Sequence, residues 1–246
     1  MDRQGNTYTF LYAAIMVIIV AAILSGTAIA LKPRQNKNIE IEKKRNILKS
    51  VNKGLEYNIV NDKIEYIESE YSKYITNSYT VNTKGEKIKG DAFTIDLHKE
   101  LIKPQSKIKL PVFECKEDNG KTKYILPVRG KGLWGPIWGF IALNSDMNTI
   151  YGVIFDHKGE TPGLGAEISN NEFQKPFKGK KIFNKNGIFT SIDIVKGGAP
   201  INNSHSVDAI SGGTITSKGL EKMLRDNLKL YNAFFKKVQI DKNTNR

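Results

Sequence analysis

The chain has few of the residues that form disulfide bonds or bind metal ions through sulfur and imidazole. Its 246 residues include one Cys and three His. These numbers exclude an internal disulfide and argue against a cysteine-rich zinc module or an iron–sulfur cluster. We interpret His157 and His205 as loop residues and Cys115 as a bystander, and we expect no metal site. The 39% hydrophobic share argues against a wholly disordered chain.

Charged residues are missing from one long apolar stretch. Residues 9–31 form a run of 23 without Asp, Glu, Lys or Arg. With a helical rise of about 1.5 Å per residue, this run can cross a hydrocarbon core of about 30 Å. A cleaved signal peptide is the alternative, because residues 28–30 fit a small-x-small cleavage pattern. The length of the run and its single preceding base, Arg3, favour an uncleaved anchor.

The excess of basic residues is confined to two segments. The formal net charge is +13, of which residues 32–53 contribute +6 and residues 218–246 contribute +5. Nucleic-acid binders more often interleave Arg and aromatic residues on one face, so we expect no nucleic-acid partner. A solvated face or attraction to anionic lipid headgroups accounts better for these bases. More bases follow the span than precede it, which indicates a cytoplasmic domain by the positive-inside rule. That rule weakens for large translocated domains.

Hydrophobic periodicity predicts an α+β fold. Apolar residues spaced by three and four predict helices over 38–52 (ended by Gly54), 62–75 (with Asp62 as N-cap) and 218–237. Short apolar runs between turn residues predict strands over 123–128, 137–143, 149–156 and 188–195, and a hairpin over 79–88.

The same patterns suggest a division of the chain into four parts. We expect an anchor over 1–31, a basic juxtamembrane helix and linker over 32–60, a folded domain over 61–240 and a polar, frayed tail over 241–246.

The most informative segment is D-A-I-S-G-G-T-I-T-S at 208–217, directly before the last predicted helix. Its two glycines allow close backbone approach. A helix start offers unpaired N–H groups and the positive end of the helix dipole, which suits a phosphate. A plain turn with Thr216 or Ser217 as the helix N-cap fits the local pattern equally well. The segment matches neither a Walker loop nor a dinucleotide-binding G-x-G-x-x-G pattern.

Two further glycine-rich segments accompany it. Residues 130–140 hold two Trp among four glycines, and residues 157–165 leave a predicted strand. Aromatic side chains beside accessible backbone can hold a flat heteroaromatic ring. Trp134 and Trp138 are four residues apart, so on a strand they would share one face, where packing in the sheet core is the commoner role.

Together the three segments resemble the C subunit of the sodium-translocating NADH:quinone reductase, a six-subunit membrane respiratory complex. That family carries G-x-G-L-W followed by G-F-x-A-L, matched at 130–143, and H-x-E-T-P-G-L-G with one residue more or less, matched at 157–165. It also carries D-x-x-S-G-A-T-x-T, matched at 208–216 with Gly213 in place of Ala.

The resemblance implies a mostly antiparallel, helix-flanked FMN-binding domain behind a single transmembrane helix. It implies that FMN is joined by its phosphate to the hydroxyl of Thr216 by a separate flavin transferase that uses FAD. Asp208 would then serve the transfer. The remaining implied FMN-binding residues are Ser211, Gly212, Gly213 and Thr214 at the phosphate, and Leu133, Trp134, Glu160, Thr161, Gly163, Leu164 and Gly165 near the ring.

The same resemblance implies an electron-transfer subunit without catalytic side chains of its own, a flavoprotein that relays electrons from NADH toward quinone, coupled to sodium export. Its partners would be the other subunits, the transferase during maturation and the lipid bilayer. It would lie in the bacterial inner membrane as a single-pass protein with the FMN domain on the outer side.

Two other functions stay open on the sequence. One is the homologous G subunit of an Rnf-type ferredoxin:NAD oxidoreductase, although the G-L-W segment favours the quinone reductase. The other is a tethered, non-catalytic extracytoplasmic binding module without flavin.

Overall fold

The computed structural model describes residues 5–244, and their side chains as far as residue 241. The chain divides into two compact units, one ending at Lys43 and one beginning at Lys44. The helices are α1 (Asn6–Ser50), α2 (Lys63–Tyr74), α3 (Leu97–Leu101), α4 (Asn171–Gln174), α5 (Thr214–Leu230) and α6 (Asn232–Thr244). The strands are β1 (Ile75–Val81), β2 (Lys87–Ile88), β3 (Leu110–Lys116), β4 (Thr122–Lys131), β5 (Pro136–Leu143), β6 (Ile150–His157), β7 (Asp193–Val195) and β8 (Ser206–Asp208).

The first helix contains the one candidate membrane span in the described part of the chain. Its most apolar 18-residue window has a mean hydropathy of 2.6, and none of it is buried. The basic helix expected over 38–52 is the last part of α1, not a separate element, and α1 ends at Ser50. Pro33 lies inside the helix, where a proline removes one backbone hydrogen bond and crowds the carbonyl four residues earlier, yet the helix continues to Ser50.

The predicted α2 is confirmed together with its cap. The Asp62 carboxylate accepts hydrogen bonds from the N–H groups of Ile64, at 3.0 Å, and Glu65, at 2.9 Å. The helix ends at Tyr74 because the chain enters β1 at the next residue. The predicted hairpin is also present, since β1 and β2 pair antiparallel.

A six-stranded antiparallel sheet in the order β2-β1-β3-β4-β5-β6 forms the body of the second unit. The strands predicted over 123–128, 137–143 and 149–156 are β4, β5 and β6. The sequence did not predict β3, which is buried from Leu110 to Phe113 and whose short apolar run ends at Glu114. Its Pro111 also weakens the strand signal.

The strand expected over 188–195 is wrong for most of its length. Only Asp193–Val195 forms a strand, and this β7 pairs in parallel with β8. Before it, Ile188 is exposed, Phe189 forms only an isolated bridge with Phe183, and Ile192 is buried outside any named strand. Because β8 ends at Asp208, this small sheet leads directly into the segment before α5.

The single helix expected over 218–237 is two helices. α5 begins at Thr214 and α6 continues to Thr244, with a break at Tyr231. The apolar spacing runs through the break because Tyr231 and Phe235 are both buried. The expected frayed tail is helical over 241–244, and residues 245–246 lie outside the described residues.

Helix α5 packs on the sheet through one apolar face, and a polar side chain fixes its position. The buried cluster that joins helix and sheet includes Leu220, Met223, Leu224 and Leu228 of α5 with Leu126, Val128, Ile137 and Ile141 of the sheet. The buried amide of Asn227 accepts a hydrogen bond from the Arg129 N–H, at 3.0 Å, and donates one to the Arg129 carbonyl, at 3.1 Å. These two bonds hold α5 against the backbone of β4.

We expect Asn227→Ala to destabilise the domain. The change leaves two backbone groups of Arg129 without their partner, and each unsatisfied group costs about 1–3 kcal/mol when buried. Since Arg129 is only half-buried, the total loss should also be about 1–3 kcal/mol. Chemical unfolding of the full chain in detergent measures it. Asp226→Ala, which removes only an exposed pair with Lys222, should change stability by about 0.5 kcal/mol or less; equal losses would contradict the role of Asn227.

Candidate functional site

Three segments that lie far apart in the sequence meet at one cavity of about 240 Å³. They are the turn before β5, the loop after β6 and the start of α5. The cavity is lined by Leu133, Trp134, Glu160, Thr161, Leu164, Gly165, Gly212, Gly213, Thr214, Ile215 and Thr216. The structure therefore brings ten of the thirteen residues expected to bind FMN to one cavity.

A buried hydrogen bond lies at the bottom of this site. The Thr216 hydroxyl donates to Oε2 of Glu160 at 2.5 Å. Thr216 is 1% exposed and Glu160 is 4% exposed. The second carboxylate oxygen of Glu160 accepts the N–H of Trp134 at 2.8 Å. Glu160 thus connects all three segments.

The start of α5 presents its first N–H groups near Thr216. The intrahelical bonds begin with the Ser217 N–H, which donates to the Gly213 carbonyl at 2.9 Å. The N–H groups of Thr214, Ile215 and Thr216 precede that bond and have no partner within the helix. The alternative in which Thr216 or Ser217 caps the helix is wrong, because both lie inside its first turn.

Two close contacts explain the glycines of the site. A Cβ on Gly165 would stand 2.5 Å from both Glu160 Oε2 and Thr216 Oγ1, so a larger residue would separate the pair. Gly212 has φ of +74°, a conformation that other residues rarely adopt, and a Cβ there would meet the Leu164 side chain at 2.5 Å.

Trp134 does not share a strand face with Trp138, contrary to the expectation from their spacing. A turn closed by the Gly132 N–H and the Gly135 carbonyl, at 2.8 Å, places Trp134 before β5 begins at Pro136. Its side chain is 69% exposed. Residues four apart share a face only within a strand, and here the chain becomes extended only after this turn.

Three of the expected residues lie beside the cavity. Asp208 and Ser211 line a neighbouring depression of about 400 Å³, which Gly212 and Thr214 share. Asp208 is exposed, and its carboxylate accepts the Ala199 N–H at 2.6 Å. Gly163 lies in the loop after β6, where its N–H donates to Glu167 at 2.9 Å.

Two residues of the site were not predicted from the sequence. Ile215 lines the cavity with an exposed apolar side chain. The one indication of its role in the sequence is its position between Thr214 and Thr216, which were both predicted. His157 accepts the Glu160 N–H at its Nδ1, at 3.2 Å, which orders the loop. His205 is held elsewhere, with its Nδ1 2.6 Å from the Lys181 carbonyl.

Cys115 lies in β3, outside the cavity, and is buried. Burial raises the pKa of its thiol to about 11, so the thiol stays protonated at neutral pH. Among the residues that the structure describes, no cluster of three or more His, Cys, Asp or Glu is placed to hold a metal ion.

The site suits a flavin mononucleotide better at its phosphate than at its ring. Backbone N–H groups at a helix start are typical ligands of a phosphate. Ligand pockets usually have volumes of about 300–1,000 Å³, and this cavity is smaller. A ring would therefore lie along its exposed apolar rim, which is formed by Leu133, Trp134, Leu164 and Ile215.

The chain is similar to known proteins over most of its length. Residues 132–229 match the FMN-binding domain family. Over 237 residues the chain is 33% identical to the C subunit of the Na(+)-translocating NADH-quinone reductase of Haemophilus ducreyi, covering 91% of this chain and 90% of that protein. The protein of the same name from Vibrio vulnificus is 31% identical over 220 residues, covering 83% of each chain.

Solved structures agree with these relatives. The crystal structure of the C subunit of the Na(+)-translocating NADH-quinone reductase from Parabacteroides distasonis is 44% identical, with a TM-score of 0.73 over 83% of this chain and 96% of that one. NqrC of Shewanella oneidensis is 28% identical, with a TM-score of 0.68 over 82% of this chain and 98% of that one. The chain belongs to the family formed by the C subunits of Na(+)-translocating NADH-quinone reductases. The expected antiparallel α+β fold behind an apolar helix is confirmed.

We expect Gly165→Ala to destabilise the protein by about 1–3 kcal/mol, the usual cost of overpacking. The added methyl group must push apart the Glu160–Thr216 pair. Thermal or chemical unfolding of the full chain in detergent measures the effect. Gly159→Ala is the matched control, because a Cβ at that position meets no atom within 4 Å. Equal destabilisation by the two changes would show that crowding at the pair is not the cause.

Proposed function

We propose that this protein is the membrane-anchored electron-transfer subunit of a sodium-translocating NADH:quinone reductase and that it carries FMN covalently on Thr216. The observation that carries the proposal is the convergence of three glycine-rich segments on the Thr216 hydroxyl, inside a matched FMN-binding domain. Bound FMN supplies the electron-carrying chemistry, and the protein supplies its position and electrostatic surroundings.

The phosphate would be held at the start of α5. A phosphoester on Thr216 lies within the first helical turn, where the backbone N–H groups and the helix dipole favour negative charge. The exposed Thr214 hydroxyl adds a hydrogen-bond donor beside them. Gly212 and Gly213 let the backbone approach the phosphate, and Ser211 stands at the edge of the same segment.

The ring would lie against the apolar rim. Leu133, Trp134 and Leu164 present exposed apolar surface there, and Thr161 lines the cavity between them and Glu160. An exposed ring edge is compatible with electron exchange with other subunits. In this proposal those subunits bind NADH and quinone, and electron flow toward quinone is coupled to sodium export.

Maturation would require a separate flavin transferase that uses FAD. The exposed Asp208 and Ser211 line the depression next to the cavity, where a second protein can reach them. We assign Asp208 to this transfer step.

The domain would face the outer side of the bacterial inner membrane, anchored by the apolar helix. The basic residues after the span favour the opposite orientation, but a large translocated domain weakens that rule. The basic segment after the span, residues 32–53, would contact anionic headgroups.

The alternative in which the chain is an Rnf-type G subunit is disfavoured by its place among the quinone reductase relatives. The other alternative is a tethered binding module without flavin. It can be told apart by measurement, because such a module would carry no covalently attached flavin.

We expect a denaturing gel of the full chain, produced together with the transferase, to show a fluorescent band for the wild type. Thr216→Ala should abolish the fluorescence, because the attachment oxygen is removed. Thr214→Ala, in the same helical turn, is the comparison: it removes a hydrogen-bond donor to the phosphate but not the attachment oxygen, so a fluorescent band should remain. A colourless wild-type band would contradict the flavoprotein proposal, and a fluorescent Thr216→Ala band would move the attachment to Thr214 or Ser217.

We expect protease added to intact spheroplasts to digest the domain, since its loops would face outward. A cytoplasmic marker protein in the same sample should survive until the cells are lysed. Immunoblotting against a tag at the C-terminus follows the digestion. Protection of the domain in intact spheroplasts would place it in the cytoplasm, as the flanking charges indicate.

A further inference from the structure

We propose that Glu160 is the general base that accepts the hydroxyl proton of Thr216 when the flavin is attached. This inference rests on the proposed function, because it assigns the proton of the same transfer. The carboxylate already accepts a hydrogen bond of 2.5 Å from this hydroxyl, Thr216 Oγ1. In phosphoryl transfer, a carboxylate that accepts the proton of the attacking hydroxyl is a recurring arrangement.

Both oxygens of Glu160 are held in place. Oε1 accepts the Trp134 N–H at 2.8 Å, which leaves Oε2 directed at Thr216. The backbone N–H of Glu160 donates to His157, at 3.2 Å, so the main chain is fixed as well. Glycines provide the room, because a Cβ on Gly132 or Gly165 would come within 2.5 Å of one carboxylate oxygen.

A purely structural role does not explain a carboxylate here. The partners of the Glu160 carboxylate are a backbone N–H and a hydroxyl, and its side chain is 4% exposed. Burying a carboxylate without a charged partner is unfavourable, and a neutral Gln could also bond both groups, as an acceptor for the Trp134 N–H and a donor to the Thr216 hydroxyl oxygen. What Gln lacks is the ability to take a proton from the hydroxyl.

The reaction balances with FAD as the second reactant. Thr216 Oγ1 forms a bond to the flavin-side phosphorus, and the bond from that phosphorus to the bridging oxygen breaks. AMP leaves with the electron pair of that bond, and the hydroxyl proton passes to Glu160. No atom is oxidised or reduced. The carboxylic acid that forms no longer repels the new phosphodiester.

Glu160→Gln isolates the proton transfer. With the Gln oxygen facing the Trp134 N–H, its NH₂ group donates to Thr216 Oγ1, so the hydrogen bond reverses and the hydroxyl proton loses its acceptor. The assay mixes the purified full chain in detergent with transferase and FAD and follows covalent flavin by gel fluorescence and intact mass. We expect the initial rate to fall about 100-fold or more, the usual share of general-base catalysis.

The pH dependence separates a base from a structural support. We expect the ratio of the Glu160→Gln rate to the wild-type rate to rise at alkaline pH, where hydroxide can remove the proton. The transferase is the same in both reactions, so its own pH dependence cancels in the ratio. Glu172→Gln, the same change at an exposed position of α4, should react like the wild type.

A folded Glu160→Gln protein that is loaded at the wild-type rate, or whose slower rate shows no relative gain at alkaline pH, would overturn the assignment. Circular dichroism and the thermal midpoint of the same samples report folding. If Glu160→Gln does not fold, Glu160→Asp takes its place, because it keeps the charge but withdraws the carboxylate by about one bond length of 1.5 Å. Slower loading of a folded Glu160→Asp protein supports the base, and loading at the wild-type rate overturns it.

The proposed function fails separately from this inference. A wild-type chain that takes up no covalent flavin contradicts the function itself. A wild-type chain and a Glu160→Gln chain that load equally, with Thr216→Ala inert, leave the function standing and remove Glu160 from it.

Discussion

The site depends on the hydrogen bond between the Thr216 hydroxyl and the Glu160 carboxylate. This bond joins residues 56 apart in the chain, and the second oxygen of Glu160 reaches Trp134, which is 26 residues earlier. Both side chains are buried, so removing either partner leaves a polar group without water or protein to bind it. The cavity therefore exists only when α5 is docked on the sheet, and the Asn227 contacts with β4 that dock the helix also assemble the site.

The sequence predicted the elements whose apolar residues form a clear pattern. Helix α2 shows apolar residues spaced by three and four, and strands β4 to β6 are apolar runs bounded by turn residues, although β4 and β5 are buried on both faces. In β3 the apolar run is interrupted by Pro111 and ends at Glu114, so the strand signal is weak. The break at Tyr231 is equally invisible, because its hydroxyl bonds to the distant Pro111 carbonyl at 2.8 Å while the apolar spacing continues unchanged.

The sequence predicted those features of the site that depend on residues within a single segment. The glycines and hydroxyls before α5 indicated an anion site from the properties of a helix start alone. The pairing of Glu160 with Thr216 is tertiary, and no spacing within either segment encodes it. The strand position predicted for Trp134 is wrong because of another tertiary contact. The turn that exposes Trp134 is held by Glu160, which is distant in the sequence.

The net charge of +13 does not supply the attraction for a phosphate. None of the eleven residues lining the cavity is Lys or Arg, and the nearby Lys218 pairs with Glu221 on α5. The positive end of the α5 dipole, equivalent to about half a charge, and the N–H groups of its first turn are what the cavity offers a phosphate. The Glu160 carboxylate lies in the same site, hydrogen-bonded to Thr216. If Thr216 carries the flavin as proposed, the ester bond, and not a basic side chain, holds the phosphate beside this carboxylate.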